Sequence, residues 1–327
     1  MNLPAATERL GWRDEFLFLV TNRVPRNALS QAMGWLSRVE SPFLARCALA
    51  VWRVFDGDFR LEEAQEQSFR SIHGIFTRRL KAGARPIDDD SRRAVSPCDA
   101  IVGEHGSIEK GRVYQAKGYP YDLAELIPDA SVAEKYADGT FVTLRLKSSM
   151  YHRFHAPADC RIEDVLYVTG DRWNVHPPAL KKIEKLYCKN ERAVIECLGE
   201  APDRDVCLVA VAAILVSSIR IHGLDYPESG HGLGHHRHRV ATTAARGDEL
   251  GYFEHGSTIV VFAQRGWRLR ADLNTGDRVN MGQALLEPDP LHAPIQAQAD
   301  TQACSQDPDP DRDPNQNRTK DPAQEPA

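Results

Sequence analysis

The chain has 327 residues, of which 42% are apolar, enough to bury a sizeable core as one large or two modest domains. Its formal charge of −5 is unevenly spread: residues 287–327 hold nine acidic and three basic side chains, leaving residues 1–286 close to neutral, and no nucleic-acid partner is expected. Seven scattered cysteines, odd in number and without a CxxC pair, argue against a disulfide framework and a zinc cage and fit a reducing compartment.

In chain order, FLFLV at 16–20 is too short to span a bilayer and follows Asp14 and Glu15, unlike a signal peptide. Residues 26–55 carry two helical segments. The first has Leu29, Ala32, Met33, Leu36 and Val39 at helical spacing, and Ser41-Pro42 suits the cap and first position of the second. Arginines 23, 26, 38, 46 and 53 stand against Glu40 alone, with Trp35 and Trp52 among the apolar residues. That mixture suits either an anionic membrane interface or a helical hairpin packed on the rest of the protein.

From about residue 96 the pattern changes to short alternating or β-branched runs such as AIVGEHG, TFVTLRL, CRIEDVLYV and STIVVFA, separated by Gly, Pro, Asn and Asp. These predict antiparallel strands. GDRVNMGQALLE at 276–287 has the strand-turn-strand rhythm of a biotinyl or lipoyl carrier hammerhead but no lysine to modify, so it predicts β-architecture alone. HGLGHHRHR at 231–239 is dense in histidine but lacks nearby carboxylates or thiolates; it is read as a solvated loop, and no metal is expected. Residues 287–327, with eight of the twenty prolines and few large apolar residues, are read as a disordered acidic tail.

Three short stretches could carry chemistry. YHRFH at 151–155 sets His152 and His155 three residues apart around Arg153 and suits proton transfer. Asp99 stands at a turn before a strand, where it either caps the turn or orients a histidine. FEHGSTIVVF at 253–262 places Gly256 and Ser257 at the mouth of a buried strand. A GxSxG elbow fails because Ile259 stands where glycine is required. Ser257 is badly placed for an external acyl substrate but lies beside the carbonyl of Gly256, where an N-to-O acyl shift would turn the peptide bond into an ester.

With these motifs assembled, the chain resembles the bacterial phosphatidylserine decarboxylases over about residues 20–286. The resemblance rests on ordered blocks: FTRRLKAGARPID (76–88), SPCDA (96–100), QAKGYPYDL (115–123), GTFVTLRLKSSMYHRFHAP (139–157), NER (190–192) and GDELGYFEHGSTIVVFA (247–263). It implies a pyruvoyl enzyme that cuts itself at Gly256-Ser257, giving non-covalently joined chains 1–256 and 257–327. Ser257 would become the pyruvoyl group, a covalent cofactor made from the chain itself. Asp99 and His155 would activate that serine, and His152 would act near the substrate during decarboxylation. Two positions depart from the family pattern: Ala100 replaces a glycine and His255 a leucine.

The implied architecture is α+β: a helical membrane-docking region (1–70), a strand-rich catalytic domain with antiparallel sheets (71–286) and the tail (287–327). The implied partners are phosphatidylserine and an anionic membrane surface, with the enzyme peripheral on the cytoplasmic side of the cell membrane and a higher homo-oligomer left open. Two rival readings stand beside it, a non-catalytic lipid-binding relative disabled by Ala100 and His255, and a Ser-His-Asp hydrolase using Ser257 on external substrates.

Overall fold

The computed structural model describes residues 26–57, 59–113, 120–175, 177–201, 203–213, 219–224, 234–254 and 257–290. FLFLV at 16–20, His255, Gly256 and nearly all of the acidic tail therefore lie outside the described residues. Among those described, three helices and eleven strands position the site.

Helices α1 (Arg26–Arg38) and α2 (Pro42–Asp56) match the two amphipathic segments. Ser41 caps α2 by accepting a hydrogen bond from Leu44 N at 3.3 Å, with Pro42 at its start, as the sequence predicts. Both helices pack on the short helix α3 (Ile72–Phe76). In α1 the buried face is made by Ser30, Gly34 and Ser37, small residues at helical spacing that permit close approach. Several large apolar side chains of the two helices point outward: Trp35 of α1 is 72% exposed, and Phe43 and Val54 of α2 are 78% and 80% exposed. No described helix is long and apolar enough to cross a membrane.

The strands are β1 (Ala100–Ser107), β2 (Thr140–Arg145), β3 (Arg153–His155), β4 (Cys160–Val168), β5 (Arg192–Cys197), β6 (Val206–Val211), β7 (Ile219–Ile221), β8 (His235–Ala244), β9 (Glu249–Phe253), β10 (Thr258–Ala263) and β11 (Arg278–Val279). Eight form one antiparallel sheet in the order β8-β4-β5-β6-β10-β2-β1-β11, and β7-β9-β3 form a second. The fold is thus α+β with antiparallel sheets, as the strand pattern predicts.

β10 lies in the middle of the large sheet, paired to β2 on one side and β6 on the other. Its alternate side chains enter different cores. Ile259 and Val261 join a cluster containing Val142, Leu208, Phe154 and Phe253, while Val260 and Phe262 join one containing Leu126, Tyr136, Tyr187 and Val209. With both faces of the sheet covered, no position on this strand faces water, which explains the unbroken apolar run IVVFA after Thr258.

The histidine-rich stretch corrects the loop expectation. Residues 235–239 belong to β8, the edge strand, whose backbone pairs with β4 while its His and Arg side chains stand exposed or half-buried. An edge strand needs one neighbour and no apolar face, so a polar sequence without obvious strand propensity is accommodated. Residues 231–233 of the same motif lie outside the described residues.

Candidate active site

β3 and the residue just before it bring both histidines of YHRFH into the interior: His152 is fully buried and His155 6% exposed. The strand is held at both ends. His152 O accepts from Phe253 N at 2.9 Å, and His155 N donates to Pro97 O at 2.8 Å, which draws the SPCDA turn alongside. The neighbouring strand β9 contains Gly251 because nothing larger fits: a Cβ there would lie 2.1 Å from Arg220 O and 2.6 Å from the Phe154 ring.

The two histidines have different surroundings, as the opposite facing of residues three apart on an extended chain requires. The ring of Phe76, at the end of α3, meets His152 edge-on at 5.2 Å between centroids, and Trp52 of α2 meets Phe76 at 5.1 Å. An aromatic chain thus runs from the second amphipathic helix to His152.

His155 Nδ1 lies 2.8 Å from Gly247 O, an acceptor, so Nδ1 carries the proton and Nε2 is left as the basic nitrogen. Tyr151 Oη lies 3.1 Å from that Nε2 and donates to it. Gly247 has φ +93°, a left-handed conformation suited to glycine, at the point where its carbonyl meets the imidazole. Burial lowers the pKa of His155, opposed by the Gly247 hydrogen bond and the charge of Glu249, so the ring is held as a neutral base.

Asp99 is fully buried. Its carboxylate accepts from Arg85 Nε at 2.8 Å, Arg85 Nη2 at 2.6 Å and Met281 N at 2.9 Å. Arg85 also reaches Glu63 at 2.8 Å, and this company raises the arginine's pKa despite the cost of burial. The hammerhead-like segment 276–287 therefore contributes no carrier residue but does contribute Met281 N to Asp99. No hydrogen bond joins Asp99 to His155 in this arrangement; they are neighbours through Pro97 and through the charge of Asp99, which acts on the imidazole.

Ser257 stands at the head of β10, 2% exposed, with its carbonyl fixed by Leu146 N at 2.9 Å. Its Oγ is buried and has no hydrogen-bond partner among the described residues. Just before it, Glu254 is also buried, and its carboxylate takes two hydrogen bonds from Arg38 at 2.8 and 2.9 Å, with Arg220 at 3.5 Å. Among the described residues no cluster of His, Cys, Asp or Glu suits a metal ion.

A family model described as phosphatidylserine decarboxylase matches residues 72–287. The chain belongs to the phosphatidylserine decarboxylase family. It is similar to proteins named phosphatidylserine decarboxylase proenzyme from several bacteria. The Vibrio cholerae protein is 31% identical over 279 residues, covering 80% of this chain and 94% of the relative. That of Hahella chejuensis is 32% identical over 279 residues (83% and 93%), and that of Anaeromyxobacter sp. (strain K) 33% over 283 residues (83% and 98%). Within this decarboxylase family member, the residues that motif reading missed are those that hold the recognised ones. Arg85 grips Asp99, Tyr151 occupies His155, Phe76 abuts His152 and Arg38 binds Glu254. Arg85, Tyr151 and Phe76 lie inside the quoted blocks, and their signal was the block itself; Arg38 lies far away in sequence and carried none.

Proposed function

We propose that this chain decarboxylates phosphatidylserine to phosphatidylethanolamine, using a pyruvoyl group made by its own cleavage between Gly256 and Ser257. The observation that carries the reading is Ser257: a buried hydroxyl without a hydrogen-bond partner among the described residues, at the head of a strand paired on both sides, in a chain whose relatives are named proenzymes. A buried, unsatisfied hydroxyl costs stability and calls for an explanation, and conversion of that residue supplies one.

In this reading His155 Nε2, the ring's free lone pair, takes the proton from Ser257 Oγ. To do so it exchanges its Tyr151 hydrogen bond for one to the serine. Oγ adds to the carbonyl carbon of Gly256, the C–N bond breaks, and the proton ends on the amine of residue 257. Loss of the Cα proton then expels the Gly256 carboxylate, leaving dehydroalanine; its imine tautomer takes up one water, releases ammonia and leaves the pyruvoyl ketone. Asp99, held by Arg85, supplies the fixed negative charge that favours the imidazolium formed along the way. The pyruvoyl group would accept the electrons freed as carbon dioxide departs. His152 would deliver the proton to the carbon left behind.

The substrate's acyl chains remain in a bilayer, so the enzyme works at its surface. The outward Trp35, Phe43, Val51 and Val54, together with exposed Arg46 and Arg53, suit an anionic leaflet, and residues 1–70 would be the docking region, 71–286 the catalytic domain and 287–327 a tail. The location would be peripheral, on the cytoplasmic side of the cell membrane. The test is carbon dioxide release from phosphatidylserine in mixed vesicles, by wild type and by Ser257→Ala. Release by the wild type alone is expected; equal release, or none from either, would overturn the proposal.

A further inference from the structure

The segment entering the cut is anchored on both sides. Upstream, Phe253 N donates to His152 O; downstream, Ser257 O accepts from Leu146 N. Between them stands Glu254, a carboxylate 2% exposed and two residues from the bond to be broken. A buried carboxylate needs a cation, and the one whose Nη2 reaches both its oxygens comes from outside the strand-rich part of the chain: Arg38, the last residue of α1. Arg220 of β7 stands further off, at 3.5 Å.

Arg38 is itself aimed. Its Nη1 lies 3.5 Å from Gly34 O, one turn back on the small-residue face that α1 buries. The helix whose Trp35 points outward is therefore tied through one side chain to Glu254, two residues before Gly256 in the sequence.

We propose that Arg38 is a positioning residue for chain cleavage, acting through the carboxylate of Glu254. It contributes no proton or electron pair to the acyl shift. By fixing residue 254 it limits the directions from which the Gly256 carbonyl can meet Ser257 Oγ, and after cleavage it keeps the new chain end seated. The proposal rests on the self-cleavage reading above. Small misplacements of reacting groups can cost up to about 100-fold in rate, so loss of this anchor should slow cleavage by about 10-fold or more.

The test follows cleavage of freshly synthesised full-length chain in a cell-free reaction, with wild type, Arg38→Ala, Arg38→Lys, Glu254→Gln, the Arg38→Ala/Glu254→Gln double variant and uncut Ser257→Ala as reference. Expected are a slowing of about 10-fold or more for Arg38→Ala and for Glu254→Gln, partial recovery with lysine, and a double variant no slower than the slower single one. Added salt should slow the wild type modestly and Arg38→Ala less, because the arginine end of the pair is 48% exposed and the glutamate end 3%, so screening of the pair is partial. A generally weakened fold would not show this salt difference. If the wild type cuts while Arg38→Ala and Glu254→Gln cut equally fast, or if the two slowings multiply, the positioning role is overturned and the self-cleavage reading stands. A wild-type chain that never cuts overturns both.

Discussion

Arg85 holds both carboxylate oxygens of Asp99, at 2.8 and 2.6 Å, with the arginine side chain 4% exposed and the aspartate 1%. Removing one partner of such a pair leaves the other charged and buried, at a cost of about 3–5 kcal/mol. Arg85→Ala should therefore lower the unfolding free energy of the uncut Ser257→Ala protein by about that amount in urea titration. Asp99→Asn keeps the shape and loses the charge; it should slow self-cleavage in material that still folds.

Self-cleavage should stay near its full rate from pH 8 down to about pH 6.5 and fall below that. Burial lowers the pKa of His155 from the ordinary value of 6.5, so the ring remains a free base where an exposed histidine would already be half protonated. The same shift bears on stability. Well above pH 6.5 both folded and unfolded rings are neutral; as pH falls through 6.5 and then through the lowered folded value, the unfolded chain binds the proton first and the fold loses stability. His73, also lowered chiefly by burial, adds in the same direction. Cleavage rates of fresh precursor across this range, with His155→Gln for comparison, check the sign.

His152 and His155 should separate the two reactions. His155→Gln is expected to leave the chain largely uncut. His152→Ala is expected to give cut chain that releases little carbon dioxide, a loss of about 10²- to 10⁴-fold if the ring delivers a proton. Phe76→Leu keeps bulk but removes the ring edge facing His152; it should reduce decarboxylation several-fold while the yield of cut chain is unchanged. Gel analysis and carbon dioxide release on the same preparations distinguish these outcomes.

How much of this was legible in the sequence depended on where each interaction lies along the chain. The run IVVFA announces its burial because each of its side chains meets a core, and Ser41-Pro42 announces a helix start because capping is local. The polar HHRHR did not announce an edge strand, since its stability comes from pairing to β4 rather than from its own side chains. Asp99 was visible as a candidate, but Arg85 as its partner was not, because an aspartate at a turn has equal claim to a histidine or an arginine until the fold brings one of them near. The spacing of Leu29, Met33 and Leu36 predicts a helix, and α1 is helical over these residues. That α1 would bury Ser30, Gly34 and Ser37 instead is decided by close packing, which periodicity does not weigh.

Phe43→Ser and Val54→Ser alter side chains 78% and 80% exposed, so each should change the unfolding free energy by no more than about 0.5 kcal/mol. Burying such a side chain in a bilayer is worth about 1.5–3 kcal/mol, so each change should weaken vesicle binding roughly 10-fold or more and lower turnover on vesicles accordingly. Sedimentation with vesicles containing anionic lipid reads the first effect; the yield of cut chain should not move.

Intact mass spectrometry of the purified protein tests the central claim most directly. Two species are predicted, residues 1–256 and residues 257–327, the second lighter than its serine-ended form by one ammonia. A single species at the uncut mass, or a smaller fragment that begins with an unmodified serine, would contradict it.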